Sequence, residues 1–336
     1  MPEHRARLQM IIAVCVCFFL VCTNALNSDA AAPPNQLMIT FGSLSERETA
    51  LFVARDHGIF ARHGLDVNLV HVRNGAVALS ALASGDAQFY LGAATGSTLG
   101  AIAGGMDAVF VTSLIHKLEG TFVVNPAIKA PAELRGKTVG VTSLGGGVWM
   151  RSMLTFEHWG LDAQKDKINL RVVGDESLLA QALPTGIIDG AYFNYTFASV
   201  LERKGFRVLA DLAKLNIPYQ NTALLAQRRY LNAAPETTER LLRAVSDAVI
   251  FVLEPKNKGL VLQSLSKGLR LPRVEDALGG YDRLANLYER RIFPNVDGIR
   301  STIRFLGPSN DKIRALKAEN LVDDRFVKKL EQEGRF

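Results

Sequence analysis

Cysteine is almost missing from this chain: the only three, Cys15, Cys17 and Cys22, stand within the first 22 of 336 residues. The segment that holds them reads as one that is removed, so the remaining chain has no thiol. A disulfide scaffold, a thiolate metal site and a cysteine nucleophile are excluded together. Histidines at metal spacing are missing too, since His57, His63 and His71 form no H-x-x-x-H or H-E-x-x-H arrangement. There is no G-x-S-x-G elbow and no G-x-G-x-x-G fingerprint. No catalytic residue, metal ligand or cofactor is expected. Basic residues stand in loose groups such as Arg228-Arg229, Arg290-Arg291 and Lys328-Lys329, without interleaved aromatics. Nucleic-acid binding is therefore not expected.

A long apolar span is also absent. The run Met10–Cys22 is about 13 residues, against the ~20 that cross a bilayer as a helix. It follows His4, Arg5 and Arg7 and leads into small residues, which is the pattern of a secretory signal peptide. Cleavage after Ala25 fits, and cleavage within Ser28–Ala32 fits better, because Pro33-Pro34 then opens an extended terminus. Residues 1–32 are read as the signal, and the product as periplasmic. Each cysteine follows a valine (Val14, Val16, Val21) where a lipid anchor needs a small residue, so a soluble product is expected.

Just over 300 residues remain, more than one typical core, so two lobes are expected. Hydrophobic residues make up 48% and charged residues 21%. The net charge of +6 survives removal of the signal, and a mild positive field attracts anions. Strands are expected at Leu37–Phe41, Asp66–Val72, Ala87–Leu91, Ala108–Leu114, Thr121–Val124, Thr138–Val141, Ile168–Val173, Ala191–Phe193 and Val208–Asp211, with helical segments between them. This alternation predicts parallel sheets and an α/β architecture. From Pro235 onward the pattern is helical, at Glu236–Leu253, Lys258–Ser266, Val274–Arg290 and Ser309–Ala318. That tail has no obvious core of its own and is expected to pack back on an α/β lobe.

Four stretches carry a likeness. They are Glu48–Phe60 with His63-Gly64-Leu65-Asp66-Val67; Ala78–Phe89; Ala132–Val141, which contains Leu134-Arg135-Gly136-Lys137-Thr138-Val139-Gly140-Val141; and Ile187-Ile188-Asp189-Gly190-Ala191. In this order and spacing they resemble the periplasmic solute-binding proteins of ABC importers. The specific likeness is to the SsuA/THI5-like, NMT1-like group that takes up sulfonates, taurine, nitrate and thiamine pyrimidine precursors. The likeness runs from about Leu37 to about Ala226. It implies a two-lobed periplasmic binding protein fold of type II-like form, with ligand in the cleft and the helical tail on lobe one. Lobe one would be 36–118 plus 222–336, and lobe two 119–221. It also implies a monomer that binds a small solute and docks on an ABC permease of the inner membrane. An exported sensor and a secreted enzyme on the same fold are the other readings.

Ligands of α/β sheets sit beyond the carboxyl ends of strands, where helix N-termini present free N–H groups. Three loops have that position. Ser43-Leu44-Ser45-Glu46 follows the first strand; Ser45 and Glu46 could meet ligand, or Ser43 and Glu46 could form a capping box. Gly92–Ser97 follows the third, and offers Ala94, Thr95 and Ser97 with room for close approach. Thr142–Gly147 opens the second α/β unit, with Ser143, Gly145 and Gly146 exposing N–H groups. Trp149 stacks on a solute or fills a core. Tyr192 and Asn194 share one face of a later strand, and Asn74 follows the second strand. Tyr219-Gln220-Asn221 is a weaker candidate. Arg47 and Arg151 stand near two of the loops, where a guanidinium pairs with an oxyanion or simply faces solvent.

Overall fold

The computed structural model describes residues 35–72 and 74–336. The apolar run and both cleavage sites lie outside the described residues. Among the described residues twelve strands follow in order: β1 (Asn35–Phe41), β2 (Leu65–His71), β3 (Phe89–Gly92), β4 (Ala108–Phe110), β5 (Ile115–Lys117), β6 (Thr121–Val124), β7 (Thr138–Val141), β8 (Asn169–Val172), β9 (Gly190–Phe193), β10 (Arg207–Asp211), β11 (Pro218–Asn221) and β12 (Ala223–Gln227).

The strands form two five-stranded sheets, ordered β2-β1-β3-β12-β4 and β10-β6-β9-β7-β8. β5 and β11 make a separate antiparallel pair. The alternation predicts parallel sheets, but neither sheet is wholly parallel. β1 runs parallel to β2 and β3, while β12 is antiparallel to both β3 and β4. In the second sheet β7 is parallel to β8 and β9, while β6 is antiparallel to β9 and β10. The antiparallel strands β6 and β12 directly follow β5 and β11, with no helix between to carry the chain back in the same direction.

Three strands are not evident from the sequence. The expected strand Ala108–Leu114 is regular only as far as Phe110, although the Val111 and Leu114 N–H groups still donate to the Leu224 and Thr222 carbonyls, and β5 begins after a bend at Leu114. β11 opens with Pro218 and carries Gln220 and Asn221, residues typical of loops, yet both are fully buried. β12 is apolar on both faces, which leaves no alternation to read.

The tail begins at a proline in the first turn of the helix Pro235–Leu253, where the missing N–H costs nothing. This helix and Lys258–Leu269 bury Leu241, Val245, Val249 and Leu265 with Ala50, Leu51, Phe52 and Ile59 of the first sheet's flanking helices. The expected helix Val274–Arg290 is a short turn, Val274–Ala277, followed by Leu278–Leu287. The expected Ser309–Ala318 shrinks to Asp311–Arg314, while the helices Val296–Leu306 and Arg325–Gln332 add to the expected set. Both short amphipathic helices gain their stability from the faces they bury rather than from propensity. Among the described residues no helix is long and apolar enough to cross a membrane.

Candidate functional site

The loops after β1, β2, β3, β7 and β8 converge on one cavity of about 450 Å³. Its lining includes Gly42-Ser43-Leu44, Asn74, Ala93, Thr95, Ser97, Ser143, Gly146 and Asp175-Glu176-Ser177. Leu269–Pro272 of the tail closes another side. The two sheets' loops touch: the Ser97 N–H donates to the Gly145 carbonyl at 2.9 Å.

Of the residues chosen from sequence, Ser43, Asn74, Thr95, Ser97, Ser143 and Gly146 line this cavity, as do Arg47 and Arg151. Asn74 and Thr95 also cap the helices Gly75–Ser84 and Gly96–Ala103. The others lie behind the wall. Ser45 is fully buried and bonded to Glu48, its N–H donating at 2.9 Å and its hydroxyl at 2.6 Å. The capping box is thus Ser45–Glu48 and not Ser43–Glu46. Ala94 is buried, and its N–H donates to the Gln220 carbonyl. Gly145 gives its carbonyl to Ser97 in a left-handed turn, φ 73°. Trp149 packs against an apolar cluster that draws residues from both sheets. Tyr192 is fully buried and donates to Glu119 at 3.1 Å. Asn194 caps the helix Tyr195–Arg203 and donates to Glu176 through its backbone N–H (3.0 Å) and Nδ2 (2.8 Å).

The floor is a charged network. Arg47, only 5% exposed, donates from Nε to Ser45 Oγ (2.9 Å) and from Nη2 to Ser43 Oγ (3.0 Å). It stands 3.4 Å from Glu119 and 3.7 Å from Glu176. Arg151, 2% exposed, donates from Nη2 to Asn221 Oδ1 at 2.6 Å and lies 3.7 Å from Glu119. Its guanidinium also covers the rings of Tyr192 and Tyr219, with 5.2 and 5.5 Å to the centroids. Glu176, His71, Tyr90 and Arg270 line the cavity without having stood out in the sequence, and Asn221 had ranked low. Glu176 was within reach of the rule that found the other loops, because Asp175-Glu176 also follows a strand and starts a helix.

Glu46 crosses from the β1 loop to the second sheet's side. Its carboxylate accepts from Tyr195 N (2.7 Å) and Thr196 Oγ1 (2.8 Å) at the start of the helix Tyr195–Arg203. Burial, with Glu119 nearby, raises its pKa to about 7. An acid whose folded pKa is raised binds a proton that the unfolded chain releases near pH 4.5, so its stability contribution is complete below that pH and is lost as pH rises through 7. Relative to E46Q, which keeps the shape and cannot ionise, the wild type is expected to lose stability between pH 5 and pH 8. The loss is roughly 3 kcal/mol at most, from the 1.36 kcal/mol that each pKa unit represents. Urea denaturation of both proteins across that range measures it; parallel curves would remove Glu46 as the cause. The comparison cancels His71, whose pKa is lowered by burial and by Arg270 and which acts in the opposite sense.

The family described as NMT1/THI5 like matches residues 46–258. No curated protein matches. Among solved structures, a protein from Bordetella bronchiseptica RB50 superposes with a TM-score of 0.77 at 21% identity, over 90% of this chain and 98% of that one. The alkanesulfonate-binding protein SsuA from Xanthomonas axonopodis pv. citri, bound to MOPS, gives 0.70 at 19% identity, over 88% and 100%. The periplasmic nitrate-binding protein NrtA from Synechocystis PCC 6803 gives 0.73 at 14% identity, over 89% of each chain. The fold is that of the periplasmic binding proteins.

Proposed function

The chain belongs to the NMT1/THI5-like family, and on that premise we propose that it is an extracytoplasmic solute-binding protein. It captures a small organic solute, leaves it chemically unchanged and delivers it to an ABC importer. The observation that carries this reading is the cavity itself: polar loops from both sheets face one space of about 450 Å³, beyond the carboxyl ends of β1, β3 and β7. Binding of an alkanesulfonate by one protein of this fold and of nitrate by another supports a small-solute cargo.

The two sheets act as two lobes, 36–118 plus 222–336 and 119–221. β5 and β11 lie at the chain crossings between them. Glu46 on Tyr195 and Thr196, and Ser97 on Gly145, are contacts that the lobes make on closing over cargo. A solute that prefers the closed form shifts the population toward it by no more than its difference in affinity for the two forms.

Purified protein tests the reading in a thermal-shift screen of sulfonates, nitrate, pyrimidines and aromatic carboxylates. A ligand at a hundred times its Kd stabilises by about 2.7 kcal/mol, a rise of about 5 °C in Tm for a chain this size. No shift with any class, no solute retained in native mass spectrometry and unimpaired uptake in a deletion strain would together sink it.

A further inference from the structure

One contact between the two sheets' helices is made neither by the cavity lining nor by the crossing strands. Glu46, in the turn after β1, has no exposed surface. Its carboxylate accepts from Tyr195 N and Thr196 Oγ1 at the start of the helix Tyr195–Arg203, which follows β9. The tail reaches the same helix from another element. Gly279 and Gly280 stand in the first turn of the helix Leu278–Leu287. A Cβ at Gly280 would stand 2.4 Å from Thr196 Oγ1 and 3.0 Å from Glu46 Cβ, and one at Gly279 would stand 2.8 Å from Ser199 Oγ. The two helices therefore meet in a notch that only glycine leaves open. One turn further on, the Arg283 guanidinium covers the Tyr195 ring at 5.0 Å and its Nη1 donates to Asp211 Oδ2 at 3.3 Å. The Tyr195 hydroxyl donates to Asp211 Oδ1 at 2.6 Å. None of Glu46, Tyr195, Thr196, Gly279, Gly280 and Arg283 lines the cavity.

Resting on the two-lobed solute-binding reading above, we infer that this contact is a clasp that holds the lobes closed before any solute arrives. The helix Tyr195–Arg203 belongs to lobe two, while Glu46 and the helix Leu278–Leu287 belong to lobe one. Parting the lobes takes the acceptor from Tyr195 N and Thr196 Oγ1, empties the glycine notch and removes the cation from the Tyr195 ring. Every one of these is a contact of protein with protein, so what it contributes is independent of cargo. A receptor closed by its cargo alone would need only the contacts that run through the cavity. Here a packed and hydrogen-bonded face stands beside the cavity and does the holding. Solute then enters through a minor open population, and capture is gated by release of the clasp.

Spin labels across the cavity mouth test this. The helices Gly75–Ser84 and Glu176–Ala182 start at the cavity from opposite lobes and offer exposed positions for labels at S80C and Q181C. The exported protein, freed of residues 1–32, keeps no other cysteine. It is refolded from urea to strip retained solute and measured at pH 6, where Glu46, whose pKa burial raises to about 7, is mostly protonated and does not oppose the contact by its charge. Double electron–electron resonance without added solute is expected to give one short distance. G280A no longer fits the notch and should make a longer distance the major one. T196V keeps the shape, removes one donor from Glu46, and should raise the longer population about tenfold. If G280A does not fold, T196V combined with R283A decides. A wild-type protein that shows mainly the longer distance overturns the inference, and so do variants that keep the short one. Neither result touches solute capture, which the thermal-shift screen decides.

Discussion

Arg151→Met is expected to lower the stability of the protein by about 3–5 kcal/mol, the range seen when one partner of a buried ion pair is removed. Methionine fills similar space and removes only the charge and the donors. Three changes follow in the network. Asn221 Oδ1 loses its 2.6 Å donor. The faces of Tyr192 and Tyr219 lose the cation above them. Glu119, with no exposed surface, is left with Arg47 at 3.4 Å as its one guanidinium. The change at Glu119 destabilises most, because a buried carboxylate left with one of its two guanidiniums recovers less of its desolvation cost. The double variant R151M/E119Q separates this cause from lost packing. It should recover part of the loss in the urea midpoint, since taking away both charges leaves no uncompensated ion. A double variant no more stable than R151M would place the effect in packing.

Gly298→Ala is expected to cost about 3 kcal/mol or more, at the upper end for overpacked sites. Gly298 lies in the first turn of the helix Val296–Leu306, where this helix lies across β11. A Cβ there would stand 2.2 Å from Gln220 N and 2.4 Å from the Tyr219 carbonyl carbon. Both are backbone atoms of a strand whose Tyr219, Gln220 and Asn221 are fully buried. The strand has nowhere to go, so the helix must retreat. Retreat breaks the Asn295 N–H bond to Gln220 Oε1 at 2.6 Å and the Asn295 Nδ2 bond to the His116 carbonyl at 2.6 Å. Gly259→Ala is the control. It lies in the helix Lys258–Leu269 with open space where the methyl would go, so alanine there should stabilise by roughly 0.5–1 kcal/mol. Thermal denaturation of both variants reads the contrast; a Gly298→Ala protein as stable as wild type would show that the close approach is dispensable.

Much of the cavity is legible in the sequence because one rule, small polar loops at the carboxyl ends of strands, finds Ser43, Thr95, Ser97, Ser143 and Gly146 together. The rule fails where a loop residue has local work to do. Ser45, Glu46 and Asn194 have the chemistry of ligand contacts, yet each satisfies backbone donors or an acidic neighbour inside the protein. Tyr192 is misplaced for another reason. The alternation correctly sets it opposite Phe193, but both faces of β9 are buried, so period alone cannot tell cleft from core. Arg47 and Arg151 read in sequence as guanidiniums for an anion or for solvent. In space, carboxylates brought by other elements, Glu119 and Glu176, engage them instead. These partners lie beyond the reach of any local pattern, and only tertiary structure assembles them. The tail's share of the cavity, Leu269–Pro272, has the same cause.

β12 has a position that governs how the chain must fold. It fills the gap between β3 and β4, yet it is translated after every strand of the second sheet. Until residue 227 is available, β4 has no partner in its sheet and β3 has only β1. The first sheet is therefore begun first and finished last, with the whole second sheet as the loop that its central pairing must close. Such long-range closure slows folding. A nascent chain of this topology stays incomplete for as long as its C-terminal third is withheld, which is the condition a polypeptide has to meet if it is to be threaded through a narrow channel before it folds.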